Sequence, residues 1–135
     1  MTRNPKKILL IEDQVDIRNL LKLSLHAKPY EIHEASDAIL GLNMVHALKP
    51  DLVILDIMLP QRLANSSPEI KDGIDLCAHL KNDPNHAHIP IILLSAKGQL
   101  ADKALGLAAG ATAYIVKPFS PIQLIQLVER LLSDQ

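Results

Sequence analysis

The amino-acid sequence predicts an α/β fold: a five-stranded, doubly wound parallel sheet of the (βα)5 type with helices on both faces. Two observations support this prediction. Short aliphatic runs alternate five times with longer segments in which apolar residues recur at helical spacing. Most of the short runs are continuously apolar, which is typical of strands that a parallel sheet buries on both faces.

The five predicted strands differ in pattern. Four of them are continuous aliphatic runs with Pro, Asp or Lys on at least one side. In the remaining one, Tyr30 and Ile32 alternate with Glu31 and His33, so we expect a half-exposed strand at an edge of the sheet. The continuous runs cover residues 8–11, 52–55, 91–94 and 114–116, and the alternating run covers residues 30–35.

The segments between the strands carry helix start and stop signals. Pro29 and Pro50 follow the first two segments, and Gly110 follows the fourth at a position typical of a helix end. Ser120 is a good N-cap for the last segment, and Pro121 suits its first helical position. The predicted helices cover residues 17–25, 37–49, 73–82, 100–109 and 120–132.

Composition limits the classes of protein that this chain can be. The 135 residues are 48% hydrophobic and 21% charged, which predicts one domain over residues 1–135 with a core over about 6–132. A net charge of −1 and 2% aromatic residues argue against a nucleic-acid partner. No apolar run approaches the roughly 18 residues of a membrane span, and residues 8–11 are too short for a signal peptide. We therefore expect a cytoplasmic domain with no membrane partner.

Cysteine usage is minimal. Cys77 is the one cysteine, which excludes an internal disulfide and a Cys-rich zinc site. It falls on a predicted helix beside Leu76 and Leu80, so we expect a buried, unreactive thiol.

Polar residues follow four of the predicted strands, at the point where each strand ends. Glu12 and Asp13 follow the first strand, Asp56 the third, Ser95 the fourth and Lys117 the fifth. Because the carboxyl ends of parallel strands meet at one edge, these side chains should converge. Three carboxylates together repel one another unless a cation joins them, and oxygen-only ligands favour Mg²⁺ over zinc or copper. With an ammonium and a hydroxyl, such a site can stabilise a phosphoryl group passing to a carboxylate.

These segments together resemble the receiver domain of bacterial two-component response regulators, a flavodoxin-like fold. The resemblance extends from about Lys6 to Leu132, and each motif stands in the right order at the right strand end. The motifs are ILLIED at residues 8–13, DLVILDIMLP at 51–60, DG at 72–73, PIILLSA at 90–96, GA at 110–111 and YIVKPF at 114–119.

The resemblance implies a phosphoacceptor. Asp56 would take a phosphoryl group from a sensor histidine kinase or a phosphotransfer protein. Mg²⁺ would be bound by Asp13, Asp56 and the backbone carbonyl of Met58, with Glu12 acting mostly through water. Such a domain catalyses its own phosphorylation and dephosphorylation, and is not a conventional turnover enzyme.

The resemblance also implies a switch. Ser95, the backbone N–H of Ala96 and Lys117 would contact the phosphate, and the peptide bond from Lys117 to Pro118 would be cis. Movement of Ser95 towards the phosphate would let Tyr114 turn inwards. The face formed by the fourth helix, fifth strand and fifth helix would then change towards an unknown downstream protein.

Two features of the sequence are not accounted for by the resemblance. The segment between Pro60 and Asp72 is longer than is usual in the family, so residues 61–71 form an inserted loop. It is either a tolerated surface loop or a contact for a kinase, a phosphatase or another subunit. His79, His86 and His88 are close in sequence, but with no Cys or acidic partner at convincing spacing we expect them to be solvated.

Three other functions are alternatives to a phosphoacceptor. A pseudo-receiver would dock partners without phosphorylation. A hydrolase of the haloacid dehalogenase class would need a second Asp where this chain has Met58. A nucleotide or flavin binder would need a Gly-rich first turn, whereas the chain has Glu12-Asp13-Gln14 there.

Overall fold

The computed structural model describes residues 4–59, 70–96 and 100–133. The predicted inserted loop, residues 61–71, lies outside the described residues apart from its last two. There Ile70 is buried in the core and the Lys71 N–H donates to Asp75 Oδ2 at 3.0 Å. No helix in the described part of the chain is both long enough and apolar enough to cross a membrane.

Strands and helices alternate throughout the described ranges, as the sequence predicts. Most boundaries agree with the prediction to within two residues. In order, the elements are β1 Lys7–Ile11, α1 Val15–Ser24, β2 Glu31–Ala35, α2 Ala38–Leu48, β3 Leu52–Asp56, α3 Gly73–Lys81, β4 Ile91–Ala96, α4 Leu100–Ala108, β5 Ala113–Lys117 and α5 Pro121–Ser133.

The strands form one parallel sheet in the order β2-β1-β3-β4-β5. The predicted fold class is therefore confirmed, and so is the prediction that β2 lies at an edge. The prediction that the run at residues 114–116 is buried on both faces is wrong. In the described part of the chain β5 is the other edge strand, paired on one side with β4; four of its residues are half-buried and Val116 is exposed.

Two aliphatic clusters lie on opposite faces of the sheet. Along β1, Ile8 and Leu10 face one cluster while Leu9 and Ile11 face the other, as the two-residue period of a strand requires. The first cluster includes buried residues of α1 and α5, and the second includes buried residues of α2 and α3. The central strands are thus immobilised on both faces, which fixes the positions of their ends.

Local capping follows the sequence signals. Asp37 accepts the Leu40 N–H at 2.9 Å and caps α2, and Ser120 accepts the Gln123 N–H at 3.3 Å before α5. Gly110 has a φ of 102°, a left-handed conformation that glycine adopts without strain. These contacts confirm the predicted helix ends.

The start of α3 packs directly against the end of β3. The Gly73 N–H donates to the carbonyl of Ile57 at 2.9 Å. A Cβ atom at Gly73 would overlap the backbone carbonyl oxygen of Asp56. Glycine is therefore required here by close approach of two backbones.

Replacing Gly73 with alanine is expected to destabilise the domain. The new methyl group meets backbone, which cannot move aside without displacing the end of β3. We expect the free energy of unfolding to fall by about 1–3 kcal/mol, the usual cost of overpacking, in urea unfolding followed by circular dichroism.

Gly41→Ala is the matched control. A Cβ there would lie 2.6 Å, 3.0 Å and 3.1 Å from Cδ1, Cγ1 and Cγ2 of Ile11, all of them side-chain atoms and none of them backbone. Alanine is also a better helix former than glycine. The loss of stability should be smaller than for Gly73→Ala, and equal losses would contradict the backbone argument.

The Cys77 thiol is expected to be unreactive in the folded protein. Burial raises its pKa to about 11, so almost no thiolate is present near neutral pH. A thiol reagent at about pH 8 should label the native protein slowly and the urea-unfolded protein rapidly. An exposed cysteine introduced on α2 by Asn43→Cys, with Cys77→Ala, should react at once in the native protein. Rapid labelling of native Cys77 would contradict the prediction.

Candidate functional site

The parallel register brings the polar strand ends to one edge of the sheet. Ile11 is paired with Leu55, so Glu12 and Asp56 follow at the same level of β1 and β3. Asp56 is paired with Leu94 of β4, and Ala96 is paired with Lys117 of β5. Residues far apart in the sequence thus meet at the carboxyl edge.

Lys117 joins two buried carboxylates. Its Nζ atom donates to Glu12 Oε1 at 2.9 Å and to Asp56 Oδ2 at 3.1 Å. Glu12 is 0% exposed and Asp56 is 2% exposed, while the Lys117 side chain keeps 19% of its surface in solvent. A cation at the mouth of the site therefore balances part of the negative charge beneath it.

Burial and neighbouring charges together shift the pKa values of this group. Burial raises the pKa of Glu12 to about 7, and the Asp56 carboxyl acts in the same direction while Lys117 opposes both. Burial alone would lower the pKa of Lys117, but Glu12 and Asp56 outweigh it and the pKa is raised. Lys117 is thus held charged, and the carboxylates still exceed the positive charge available.

Glu12, Asp13 and Asp56 form what we call the acidic cluster. One carboxylate oxygen of each lies within 4.8 Å of the others, and Asp13 is exposed while its two neighbours are buried. The donor set fits Mg²⁺, because it consists of oxygen atoms, carries excess negative charge and has an open side where water can complete the coordination. The assignment of Asp13 and Asp56 as direct ligands, with Glu12 acting mostly through water, stays a prediction.

Arg18, which belongs to none of the sequence motifs, stabilises the loop after β1. Arg18 donates from Nη1 to the carbonyls of Glu12 at 2.8 Å and Asp13 at 3.4 Å. Its Nε atom donates to Glu34 Oε1 on β2 at 3.0 Å. The sequence carried no usable signal, because a charged residue on the first turns of a helix normally faces solvent.

Met58 contributes through its backbone. Its N–H donates to Asp56 Oδ1 at 3.1 Å, and its side chain is 66% exposed. The structure places Met58 directly beside the acidic cluster, as the resemblance implies. The role of its carbonyl as a metal ligand stays a prediction.

The predicted phosphate-binding and switch residues lie on β4 and β5. Ser95 is fully buried and its hydroxyl donates to the carbonyl of Ala96 at 3.3 Å. Tyr114 lies on β5 and is paired with Leu93 of β4. It is half-buried and packs against the aliphatic cluster that includes residues of α2 and α3. The peptide bond between Lys117 and Pro118 is cis.

The expectation that three neighbouring histidines are solvated is wrong for one of them. His79 and His88 are exposed, but His86 is 3% exposed. His86 Nε2 lies 2.9 Å from His46 Nδ1 and 3.7 Å from Asp83 Oδ2. The expectation that no acidic partner stands at suitable spacing is also wrong, because Asp83 is three residues before His86. Spacing along the chain could not reveal His46, which comes from a different helix.

Comparison with known proteins agrees with this geometry. The chain is 36% identical over 126 residues to the DNA-binding dual master transcriptional regulator RpaA of Synechocystis, a match that covers 93% of this chain and 48% of that protein. It is 38% identical over 127 residues to the alkaline phosphatase synthesis transcriptional regulatory protein PhoP of Bacillus subtilis, covering 94% of this chain and 48% of the relative. The chain thus spans about half the length of these curated relatives.

A solved structure gives the same result over its full length. The chemotaxis response regulator CheY4 of Vibrio cholerae superposes with a TM-score of 0.81 at 26% identity, covering 96% of this chain and 100% of that one. The family model of the response regulator receiver domain matches residues 8–129. The carboxylates and the lysine at the strand ends lie inside that match. The chain therefore belongs to the response regulator receiver domain family of two-component signalling.

Proposed function

We propose that this domain accepts a phosphoryl group on Asp56, with Mg²⁺ bound at the acidic cluster, from a sensor histidine kinase or a phosphotransfer protein. The observation that carries the proposal is the pairing of buried Asp56 with Lys117 at 3.1 Å, beside the carboxylates of Glu12 and Asp13. Membership of the receiver family supports the same assignment. We also propose that residues 1–135 form a single receiver domain.

The proposed reaction transfers phosphorus from nitrogen to oxygen. A carboxylate oxygen of Asp56 forms a bond to phosphorus while the bond to the donor imidazole breaks, and the imidazole keeps that electron pair and takes up a proton. Mg²⁺, when bound, neutralises charge on the phosphoryl oxygens. The Lys117 ammonium contributes a positive charge, and it can exchange its hydrogen bond with the Asp56 carboxylate for one with the phosphoryl group.

The positions of Ser95 and Ala96 support their assignment to the phosphoryl oxygens. Ser95 follows the residue paired with Asp56, and its hydroxyl is bonded only weakly, at 3.3 Å, to the carbonyl of Ala96. Exchange of that bond for a phosphoryl oxygen therefore costs little. We propose that this movement makes room for Tyr114, which is already half-buried on the neighbouring strand.

Exposed apolar side chains support an output surface on α4, β5 and α5. Leu105 and Leu107 on α4, Val116 on β5 and Ile122 on α5 are all exposed. Apolar groups on three adjacent elements near the switch are suited to contact with a downstream protein.

The rival readings are weaker on chemical grounds. A dehalogenase-type hydrolase needs a proton donor two residues after the nucleophile. That residue is Met58 here, and its thioether side chain has no proton that it can donate. A dinucleotide site needs glycine and backbone N–H groups at the first turn, where this chain presents Glu12 and Asp13. The pseudo-receiver reading shares every contact described, so phosphorylation itself must separate it from our proposal.

Acetyl phosphate with Mg²⁺ should add the mass of one phosphoryl group to the wild-type protein. The adduct should be absent from Asp56→Asn, which removes the accepting carboxylate while retaining size and polarity. Intact mass spectrometry measures both. Chelation of Mg²⁺ should abolish the gain in the wild type.

An adduct that persists in Asp56→Asn would show that another residue accepts the phosphoryl group. Absence of any adduct, together with failure of beryllofluoride to change the NMR spectrum, would contradict the proposal and favour a pseudo-receiver.

Removal of the Lys117 ammonium should slow phosphorylation without preventing metal binding. We expect Lys117→Met to lower the rate with acetyl phosphate by about 100-fold, the usual effect of deleting a transition-state charge partner. Mg²⁺ affinity, measured by calorimetry, should be retained because the three carboxylates remain.

Lys28→Met is the matched control. Lys28 pairs with Glu129 at 2.6 Å on the surface, far from the carboxyl edge in the fold. Its loss should leave the rate unchanged, and an equal slowing in both variants would contradict a specific role for Lys117.

A further inference from the structure

A second cluster of ligand-type side chains lies at the opposite edge of the sheet from the acidic cluster. His46 is in the last turn of α2, and Asp83 and His86 are in the connection from α3 to β4. This connection enters β4 at its amino end, whereas Asp56 stands at the carboxyl end of β3. We call His46, Asp83 and His86 the histidine cluster; one ligand atom of each lies within 4.8 Å of the others.

The distances suit a tetrahedral metal ion. His86 Nε2 lies 2.9 Å from His46 Nδ1 and 3.7 Å from Asp83 Oδ2. Ligand atoms about 2.1 Å from a tetrahedral zinc ion are about 3.4 Å apart, so the two observed distances fall on either side of that value. Small side-chain rotations would bring the three atoms to ligand positions.

The loop that carries two of the ligands is already ordered by hydrogen bonds. Asp83 Oδ1 accepts the Asn85 N–H at 2.9 Å, which orients the carboxylate and leaves Oδ2 towards His86. The Asp83 carbonyl accepts the N–H groups of His86 at 2.9 Å and Ala87 at 2.8 Å. Lys81 Nζ donates to the carbonyls of Ala87 and Ile89, at 3.1 Å and 2.6 Å. A preformed loop lowers the ordering cost of metal binding.

The two ring nitrogens of the buried His86 side chain have different surroundings. Its Nδ1 atom is buried and has no hydrogen-bond partner among the described residues. An ion bound at Nε2 would leave Nδ1 unchanged, so the support for a metal site comes from the contacts of Nε2. The polar contacts of the His86 ring are made by Nε2, which faces His46 and Asp83. His46 is exposed, so an ion can reach the cluster from solvent.

We propose that the histidine cluster binds a divalent transition-metal ion such as Zn²⁺, through His46 Nδ1, His86 Nε2 and Asp83 Oδ2, with water as a fourth ligand. Two imidazole nitrogens and one carboxylate suit zinc, whereas Mg²⁺ prefers oxygen ligands alone. The domain would then hold two metals of different class at opposite edges of one sheet. The second ion would join α2 to the segment that leads into β4.

The test is titration of the full chain with Zn²⁺ in the presence of excess Mg²⁺, which occupies the acidic cluster. Isothermal calorimetry should give one zinc site per chain. NMR of ¹⁵N-labelled imidazoles should show changes at His46 and His86. The melting temperature should rise with zinc concentration, because the ion binds the folded state.

Variants separate this site from other zinc ligands. His46→Ala should lower zinc affinity by at least about tenfold, and because His46 is exposed the variant should fold normally. His88→Ala, which removes an exposed histidine from the same loop, should change the affinity by less than about twofold. Asp13→Asn should also leave it unchanged, since that residue belongs to the acidic cluster.

Three outcomes would overturn the proposal. One is absence of zinc binding in the presence of Mg²⁺, which would leave His46 and His86 as a hydrogen-bonded pair. Another is equal affinity of the wild type and His46→Ala. The third is zinc-induced change confined to the acidic cluster. None of these depends on phosphorylation of Asp56, so failure here leaves the proposed function standing.

Discussion

The ion pairs from Lys117 to Glu12 and Asp56 are the interaction on which the functional site depends. They join the ends of β1, β3 and β5 across the carboxyl edge of the sheet. Two carboxylates buried this fully would be costly without a cation, and one ammonium offsets only part of their charge. Burial and the neighbouring Asp56 raise the pKa of Glu12, and the negative charge that Lys117 leaves unbalanced supports the proposed binding of Mg²⁺.

That arrangement requires a rigid scaffold, and the aliphatic core provides it. The central strands are covered on both faces, and dense packing resists displacement of their ends. Backbone contacts sharpen the geometry: Gly73 lets α3 approach Asp56, and Arg18 holds the carbonyls of Glu12 and Asp13. The side chains proposed to take part in the chemistry lie outside this core, at the carboxyl edge of the sheet.

The two edges of the sheet differ in ligand chemistry. The carboxyl edge presents oxygen atoms and one ammonium, whereas the amino edge presents the imidazoles of His46 and His86 with Asp83. β4 runs between them, with His86 in the loop before it and Ser95 near its end. An ion at the amino edge would therefore stabilise the segment leading into the strand that carries the proposed switch residue.

The sequence by itself determined the fold class, the order of elements, most helix ends and the convergence of Glu12, Asp13, Asp56 and Lys117. The inclusion of Ser95 in that group stays a prediction. The elements follow from the periodicity of short segments. The convergence follows from the rule that parallel strands end at one edge of their sheet. Tertiary structure alone decided the exposure of β5, the requirement for glycine at Gly73 and the contacts of Arg18. It also decided the meeting of His46 with His86, 40 residues apart in the chain. Each of these depends on which surfaces pack against one another, and no local pattern of residues records that.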